Sequence, residues 1–264
     1  ILNKQLLAVC IDAGQLREGE IAEIERYAHI ADIELCVLHR EEEFLEKLRG
    51  ATEDDDKRIR FQEAYSACME EAAETFGASY FLQATLLTDL IESGAVGEAA
   101  SPRKHHNVGI TTHLNQLHPF CNLFKYEVRA LASELGLPES VIHRHPFPGP
   151  GLFARIPGAE ITKEKRDMVR WADNEATKLL KQQGIYAHLS QFAVFLLPFF
   201  TYGIKGDAPV RGYAVALRGV NTPDFMTMEG WAPRPEIQKE LCRRLTTHPQ
   251  IVRVLFDPTG KPPA

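Results

Sequence analysis

The first half of the chain alternates short apolar runs with stretches of helical spacing. Leu6–Ile11 is a continuous apolar run that ends in Asp12-Ala13-Gly14, and Ile33–Leu38 and Tyr80–Ala84 are two more. Such runs are typical of strands buried in a parallel sheet, whose two faces are both covered. Strands that alternate with helices predict an α/β domain with ligands beyond the carboxyl ends of its strands. The predicted helices are Glu18–Ile30, Glu41–Leu48 and Lys57–Phe76.

The second half has a different pattern. Helical spacing over Phe124–Leu135 closes at Gly136, and the segment His145–Gly151 (HPFPGPG) reads as a rigid linker, because its prolines and glycines exclude a helix or a central strand. We therefore expect an α/β domain over residues 1–144 and a smaller α+β domain with an antiparallel sheet over residues 145–264. Its predicted elements are a helix Lys163–Gln183, apolar segments Ala193–Phe199 and Tyr213–Val220, a helix Arg234–Leu245 and a strand Ile251–Phe256.

Composition narrows the class of protein. The 264 residues carry a formal net charge of -6, which argues against a general nucleic-acid or anionic-membrane surface. The longest apolar stretch, Phe192–Phe200, is too short to span a membrane and contains Pro198. Five scattered cysteines without CxxC spacing indicate neither a disulfide framework nor a zinc site, so a reducing cytoplasm fits best. The start at Ile1, without Met or a signal sequence, reads as a fragment boundary.

Candidate chemistry lies at strand ends and in one long loop. Asp89 and Glu92 are three residues apart and share a helical face, which suits metal binding but also an ordinary acidic helix start. The stretch Ser93–Pro119 is too long for a simple connection and is typical of a lid. It contains the cationic cluster Arg103–Asn107 (RKHHN), which fits a basic lid over phosphates better than a metal site, because adjacent histidines rarely face one ion.

Several stretches, in order along nearly the whole chain, resemble GMP synthetases. Those of the first half resemble the ATP-pyrophosphatase domain of that family, and those of the second half resemble its dimerisation domain. The most specific is HRHPFPGPGL. The stretches are Ile11–Glu20, Gln83–Ser93, Lys104–Gly109, Leu123–Pro138, His143–Leu152, Ser190–Pro198, Ala216–Thr227 and Asp257–Ala264.

This resemblance implies a fold and a reaction. The first domain would be an adenine nucleotide α-hydrolase-like domain, and the second a dimerisation domain that makes a homodimer. The 2-oxygen of xanthosine monophosphate (XMP) would attack the α-phosphate of ATP, with Mg²⁺ required, and ammonia would then displace AMP to give GMP. A glutaminase domain, attached or separate, would supply the ammonia as a partner.

The resemblance also implies site residues. Asp89 is the one implied to hold Mg²⁺. The residues implied for catalysis are Asp89, Glu92, Arg103 and Lys104. Those implied for ATP are Asp12, Gly14, Gln83 and Thr85, and those implied for XMP are Pro148, Gly149, Gln191 and Lys261.

The chain departs from the family pattern at several points. The Ser-Gly-Gly-Val-Asp-Ser phosphate loop is absent, and Arg103 stands where the family has a catalytic lysine, next to Lys104. Gln62-Glu63 replaces the expected Gly-Arg, with Arg60 one turn earlier. We expect the chain by itself to be inactive. The alternatives are a non-catalytic dimeric relative that binds a purine nucleotide, and another ATP-pyrophosphatase ligase.

Overall fold

The structure is a computed structural model that describes residues 5–92, 114–142, 144–145, 147–222 and 227–260, with only the backbone of Glu92 and Ser140. The chain forms two compact units. The second unit contains two short segments from the N-terminal half in addition to residues 145–264. The first unit consists of residues 1–13, 21–40 and 58–144, and the second of residues 14–20, 41–57 and 145–264.

The strands of the first unit form two parallel pairs. β1 (Leu7–Asp12) pairs with β2 (Glu34–His39), and β3 (Tyr80–Leu82) pairs with β4 (Asn115–Leu117). The expectation of parallel strands in an α/β fold is confirmed for these pairs. The sequence analysis assigned Ser93–Pro119 to a loop, which was wrong at β4. This strand has only three residues, two of them polar, and so shows no detectable strand period.

Helices connect these strands. The longest, α3, begins with three aspartates in its first turn, where carboxylates stabilise the positive end of the helix dipole. The sequence pattern predicts the start of this helix at Lys57, three residues after its first residue in the structure. The reason is that Asp54–Asp56 include no apolar residue that would mark the helical period. The helices in the N-terminal half are α1 (Glu20–Ile30), α2 (Glu41–Lys47), α3 (Asp54–Phe76), α4 (Leu87–Glu92), α5 (Lys125–Glu134) and α6 (Glu139–Ile142).

A four-stranded sheet dominates the second unit. β5 (Gln191–Lys205) and β6 (Ala208–Asn221) form a long antiparallel hairpin. Gly206 and Asp207 close it with φ angles of 55° and 64°, the left-handed values that a tight hairpin turn requires. β7 (Glu229–Gly230) continues the antiparallel pairing on β6.

The last strand corrects the predicted topology. β8 (Ile251–Phe256) has the predicted bounds but pairs with β6 in parallel, so the expected antiparallel sheet is in fact mixed. The connection explains the direction, since α8 (Pro235–Leu245) carries the chain back along the sheet as a crossover helix. The core of the unit lies between this sheet and α7 (Lys163–Gln182). Its fully buried side chains include Val169, Leu180, Val194, Val215 and Leu241.

Candidate functional site

Asp12 lies at the carboxyl end of β1, as the sequence pattern predicts. The parallel register places it opposite His39, and the Asp12 Oδ2 atom is 3.2 Å from the His39 Nδ1 atom. The backbone carbonyl of Asp12 accepts a 2.8 Å hydrogen bond from the amide of Arg40. The two strands therefore end in neighbouring loops that present an acid and an imidazole together.

Gln83 and Thr85 lie directly beyond β3. Thr85 is 1% exposed, and its hydroxyl is 3.0 Å from Nδ1 of His118, which follows β4. Gln83 is also buried, and its side-chain Nε2 has no hydrogen-bond partner among the described residues. A buried amide donor without a partner costs about 1–3 kcal/mol, a cost that a hydrogen-bonding ligand would remove. This strand end is therefore suited to binding a polar group.

Asp89 lies in the first turn of α4. Its Oδ2 atom accepts a 2.9 Å hydrogen bond from the amide of Leu86, so one carboxylate oxygen caps this short helix. Burial lowers the pKa of Lys125, and the nearby charge of Arg129 lowers it further, whereas the charge of Asp89 opposes both. Glu92 ends the same helix, but its side chain lies outside the described residues.

The loop after β1 belongs to the second unit from Gly14 onward. Gly14 has φ +84°, and its carbonyl accepts hydrogen bonds from Arg166 Nη1 (2.9 Å) and Arg170 Nη2 (2.8 Å). Arg166 is 1% exposed on α7 and also donates to Glu41 (2.7 Å). This hydrogen bond lowers the pKa of Glu41. Burial acts to lower the pKa of Arg166, but Glu41 and Asp167 outweigh it and the net shift is upward.

The Pro/Gly segment packs against the same loop. Pro148 is half-buried, Gly149 is exposed, and the Pro148 carbonyl accepts a 2.9 Å hydrogen bond from the amide of Gly151. The next amide, that of Leu152, donates to the Gln15 carbonyl at 2.8 Å. Gly151 has φ +54°, and a Cβ atom there would lie 2.4 Å from the Gln15 carbonyl oxygen. Only glycine therefore permits this close approach of the two backbones.

A buried polar cluster lies beside this segment, and the sequence analysis missed it. The carboxylate of Asp173 accepts a hydrogen bond from Arg155 and forms an ion pair with Arg17 at 3.4 Å. Both guanidiniums lie over the ring of Phe147, Arg17 at 4.2 Å and Arg155 at 5.1 Å from its centroid. Arg17 and Phe147 lie in stretches that resemble the family, but no sequence signal pairs them with Arg155 and Asp173, because these residues are distant in the chain.

His145 borders the same segment. Its ring stacks on that of Tyr186 with centroids 3.9 Å apart, and its Nδ1 atom is buried without a partner among the described residues. Burial lowers the pKa of His145 to about 4, and the positive charge of Arg17 acts in the same direction. His145 is therefore neutral at physiological pH.

Gln191 is the first residue of β5, is half-buried and pairs with Val220. The preceding residue, Ser190, exchanges hydrogen bonds of 3.1 and 3.0 Å with the carbonyl and amide of Thr222. A polar groove of about 560 Å³ lies at this end of the strand. Its lining residues include His188, Ser190, Asn221, Thr222, Thr227 and Glu229.

The remaining sequence-based candidates lie outside the described residues or on α3. Arg103 and Lys104, with most of the predicted lid, and Lys261 lie outside the described residues. Glu63 is exposed on α3, and Arg60 is half-buried on the same helix. Of the candidates that are described, Asp12, Gln83, Thr85 and Asp89 belong to the first unit, and Gly14, Pro148, Gly149 and Gln191 belong to the second.

Comparison with known proteins shows that the chain is similar to GMP synthases. Residues 178–264 match the model of the GMP synthase C terminal domain. The chain is 42% identical, over 98% of its length, to a GMP synthase (glutamine-hydrolysing) of Thermus thermophilus. It is 40% identical over all of its length to the protein of the same name from Thermotoga petrophila, and 39% to that from Fusobacterium nucleatum.

The GMP synthase relatives are longer than this chain. It covers 52% of the Thermus protein and 54% of the Thermotoga protein, so it spans about half the length of the curated relatives it matches. Both units lie within the matched region, including the Pro/Gly segment and the buried cluster. Within the part of the chain that the structure describes, no helix is long and apolar enough to cross a membrane.

Proposed function

We propose that this chain is the part of a GMP synthase that converts XMP to GMP with ATP and ammonia. The observation that carries the proposal is the 42% identity to a GMP synthase over 98% of the chain, which includes both units. The family match in the second unit makes another ATP-pyrophosphatase ligase a poorer explanation. The ATP candidates other than Gly14 lie in the first unit, whereas the XMP candidates and the proposed dimer surface lie in the second.

The proposed reaction has two steps. The 2-oxygen of XMP attacks the α-phosphorus of ATP, forming a new P–O bond while the bond to pyrophosphate breaks. Ammonia then attacks C2 of the purine, and AMP leaves with the former 2-oxygen, giving GMP. Catalysis needs positive charge at the leaving pyrophosphate and exclusion of water from the adenylylated purine.

The ATP-binding assignment is supported by the strand ends of the first unit. Asp12 lies at the end of β1, and the unsatisfied Nε2 donor of Gln83 and the buried hydroxyl of Thr85 lie beyond β3. Ligands of parallel α/β folds bind at these ends. We assign Arg103 and Lys104 to charge neutralisation of the phosphates.

We assign Mg²⁺ to Asp89, with Glu92 beside it. Among the described residues no group of three or more His, Cys, Asp or Glu converges on one point. Mg²⁺ at nucleotide phosphates is commonly held by only one or two carboxylates together with the phosphates and water, and Asp89 and Glu92, three residues apart on α4, are two carboxylates of this kind. When bound, the ion would neutralise charge on the leaving pyrophosphate.

The XMP-binding assignment is supported by the second unit. The exposed Gly149 and the neighbouring Pro148 form a turn whose backbone has no bulky side chain to block a nucleotide. The polar groove beside Gln191 offers hydroxyl and amide groups to a phosphate or a purine. Lys261 would add a positive charge. Together these groups can hold a purine nucleotide through hydrogen bonds.

We further propose that the first unit has the ATP-pyrophosphatase arrangement, with its two strand pairs in one parallel sheet. A cleft of about 960 Å³ is lined by β1, by one face of α3 and by β3, including Leu7, Val9, Met69 and Phe81. Strands in such sheets are normally buried on both faces, yet β1 is half-exposed along most of its length. A strand from the longer polypeptide would fill the cleft and bring the phosphate-binding loop.

Homodimerisation is proposed to use the β5–β6 hairpin. Phe199, Phe200, Tyr202 and Ile204 are exposed on β5, and Phe200, Tyr202 and Ile204 alternate along it so that they share one face. Exposed apolar side chains on one face favour association. Phe192, near the start of the same strand, packs edge-on against Trp231 in the core. The further partner is a glutaminase domain, attached or separate, that supplies ammonia.

The proposed function is tested by comparing this chain with the full-length protein. Both are given XMP, ATP, Mg²⁺ and ammonium, and GMP is quantified by chromatography. The full-length protein should form GMP. Loss of a single oxyanion donor typically slows a reaction by about a hundredfold to a thousandfold, and this chain should form GMP more slowly than the full-length protein by a larger factor than that. No GMP from the full-length protein would favour the non-catalytic relative. Equal rates would show that the phosphate loop has been misplaced.

A further inference from the structure

Residues 14–20 are held to the rest of the second unit at four consecutive positions. The Gly14 and Leu16 carbonyls accept hydrogen bonds from the arginines of α7, Leu16 from Arg170 at 2.9 Å. The Gln15 carbonyl accepts from the Leu152 amide. The fourth position is Arg17, which makes its contacts through its side chain.

Arg17 contacts two different parts of the unit at once. Its Nε atom is 3.4 Å from the Asp173 carboxylate on α7, and its guanidinium lies 4.2 Å from the centre of the Phe147 ring. Phe147 directly precedes Pro148 and Gly149 in the chain. The position of this ring therefore sets where the backbone of the next two residues lies.

The charges of the cluster make this arrangement rigid. Asp173 and Arg155 are both 3% exposed, and one carboxylate serves two guanidiniums. Burial lowers the pKa of Arg155, and Asp173 opposes that shift. Neither guanidinium can leave Asp173 without uncovering a buried charge, so both stay over Phe147.

We propose that Arg17 is a positioning residue that fixes Phe147, and through it the Pro148–Gly149 backbone, for binding of the purine nucleotide. The inference rests on the proposed function, since it assigns Pro148 and Gly149 to XMP. The proposal makes Arg17 a determinant of XMP affinity. Arg17 lies in the loop after β1, which also contains the ATP candidate Gly14. A planar guanidinium is required, because lysine cannot both stack flat on the ring and donate from an Nε atom to Asp173.

The experiment measures XMP binding to the full-length protein by calorimetry, together with the KM for XMP and for ATP. Arg17→Lys should weaken XMP binding and raise the KM for XMP by about tenfold, while the KM for ATP changes less than twofold. Phe147→Leu should produce a similar loss, and the double variant should lose little more than either single one, because both act through one contact. If Arg17 only stabilised the fold, its replacement would not raise the KM for XMP while leaving the KM for ATP unchanged.

The matched control is Arg26→Lys, since the guanidinium of Arg26 also lies over an aromatic ring, 4.7 Å from the centre of Tyr27, but belongs to α1 of the first unit. It should leave XMP binding unchanged. If wild-type protein binds no XMP, the proposed function fails and the inference falls with it. If wild-type protein binds XMP and Arg17→Lys binds it equally well, the inference alone is overturned. Should Arg17→Lys not fold, Phe147→Leu with an unchanged KM for XMP overturns it too.

Discussion

Replacing Gly14 with alanine tests how firmly the loop after β1 is held. Gly14 has φ +84°, and a Cβ atom there would lie 2.3 Å from Nη1 of Arg166. That nitrogen is the end of a flexible side chain, but the side chain is 1% exposed and bonded to Gly14, Glu41 and Asp167. We expect that it cannot move without losing the hydrogen bond to the Gly14 carbonyl.

The expected cost follows from two terms. A non-glycine residue in the left-handed region costs about 1–2 kcal/mol. Loss of a buried hydrogen bond from a charged donor costs about 1.5–3 kcal/mol. Gly14→Ala should therefore lower the free energy of unfolding of the second unit by about 2.5–5 kcal/mol.

Urea unfolding followed by tryptophan fluorescence measures this loss. Both tryptophans, Trp171 and Trp231, lie in the second unit together with Gly14, so the signal reports on the relevant part of the chain. The control is Gly184→Ala, which has a similar φ of +67° but no atom within 4 Å of the added Cβ. It should lose only about 1–2 kcal/mol. Equal losses in the two variants would refute the reasoning, since they would show that Arg166 moves away at no cost.

Three further predictions concern pH, association and metal use. Burial lowers the pKa of His145 to about 4, below the unfolded value of 6.5, so the unfolded state binds more protons in between. Stability should fall by about 3 kcal/mol as the pH drops from 6.5 to 4, and His145→Asn should lose less over that window in urea titrations. Phe200→Ser with Ile204→Ser should shift the protein toward monomer in sedimentation, and an unchanged mass would exclude the hairpin as the interface. Asp89→Asn and Glu92→Gln should each slow pyrophosphate release and raise the Mg²⁺ concentration needed, whereas unchanged turnover in both would remove them from the mechanism.

Local pattern predicted most elements of the fold, and their pairing less well. The bounds of β8 and of α7 follow from period and capping, since Thr162 accepts a hydrogen bond from the Lys165 amide at 3.3 Å as an N-cap. The direction of β8 was wrong because the path of a crossover helix is not encoded in the strand itself. The two strands of the hairpin extend beyond the predicted apolar segments Ala193–Phe199 and Tyr213–Val220, because their outer halves lack the dense apolar run of the inner halves.

Sequence reasoning reached the strand-end candidates but not the contacts that hold the loops. Asp12, Gln83 and Thr85 could be proposed because a strand end is visible in the sequence. The Arg17–Asp173 pair could not, since a buried ion pair between distant positions leaves no periodic signal. For the same reason the grouping of residues 14–20 and 41–57 with the second unit was not expected.

The central claim is that XMP is activated by transfer of AMP to its 2-oxygen. The most direct test supplies the full-length protein with XMP that carries ¹⁸O at that position, together with ATP, Mg²⁺ and ammonium, and analyses the products by mass spectrometry. The account predicts GMP without the label and AMP with one ¹⁸O in its phosphate, in equal amounts with pyrophosphate. Label in inorganic phosphate together with ADP, or unlabelled AMP, would contradict it.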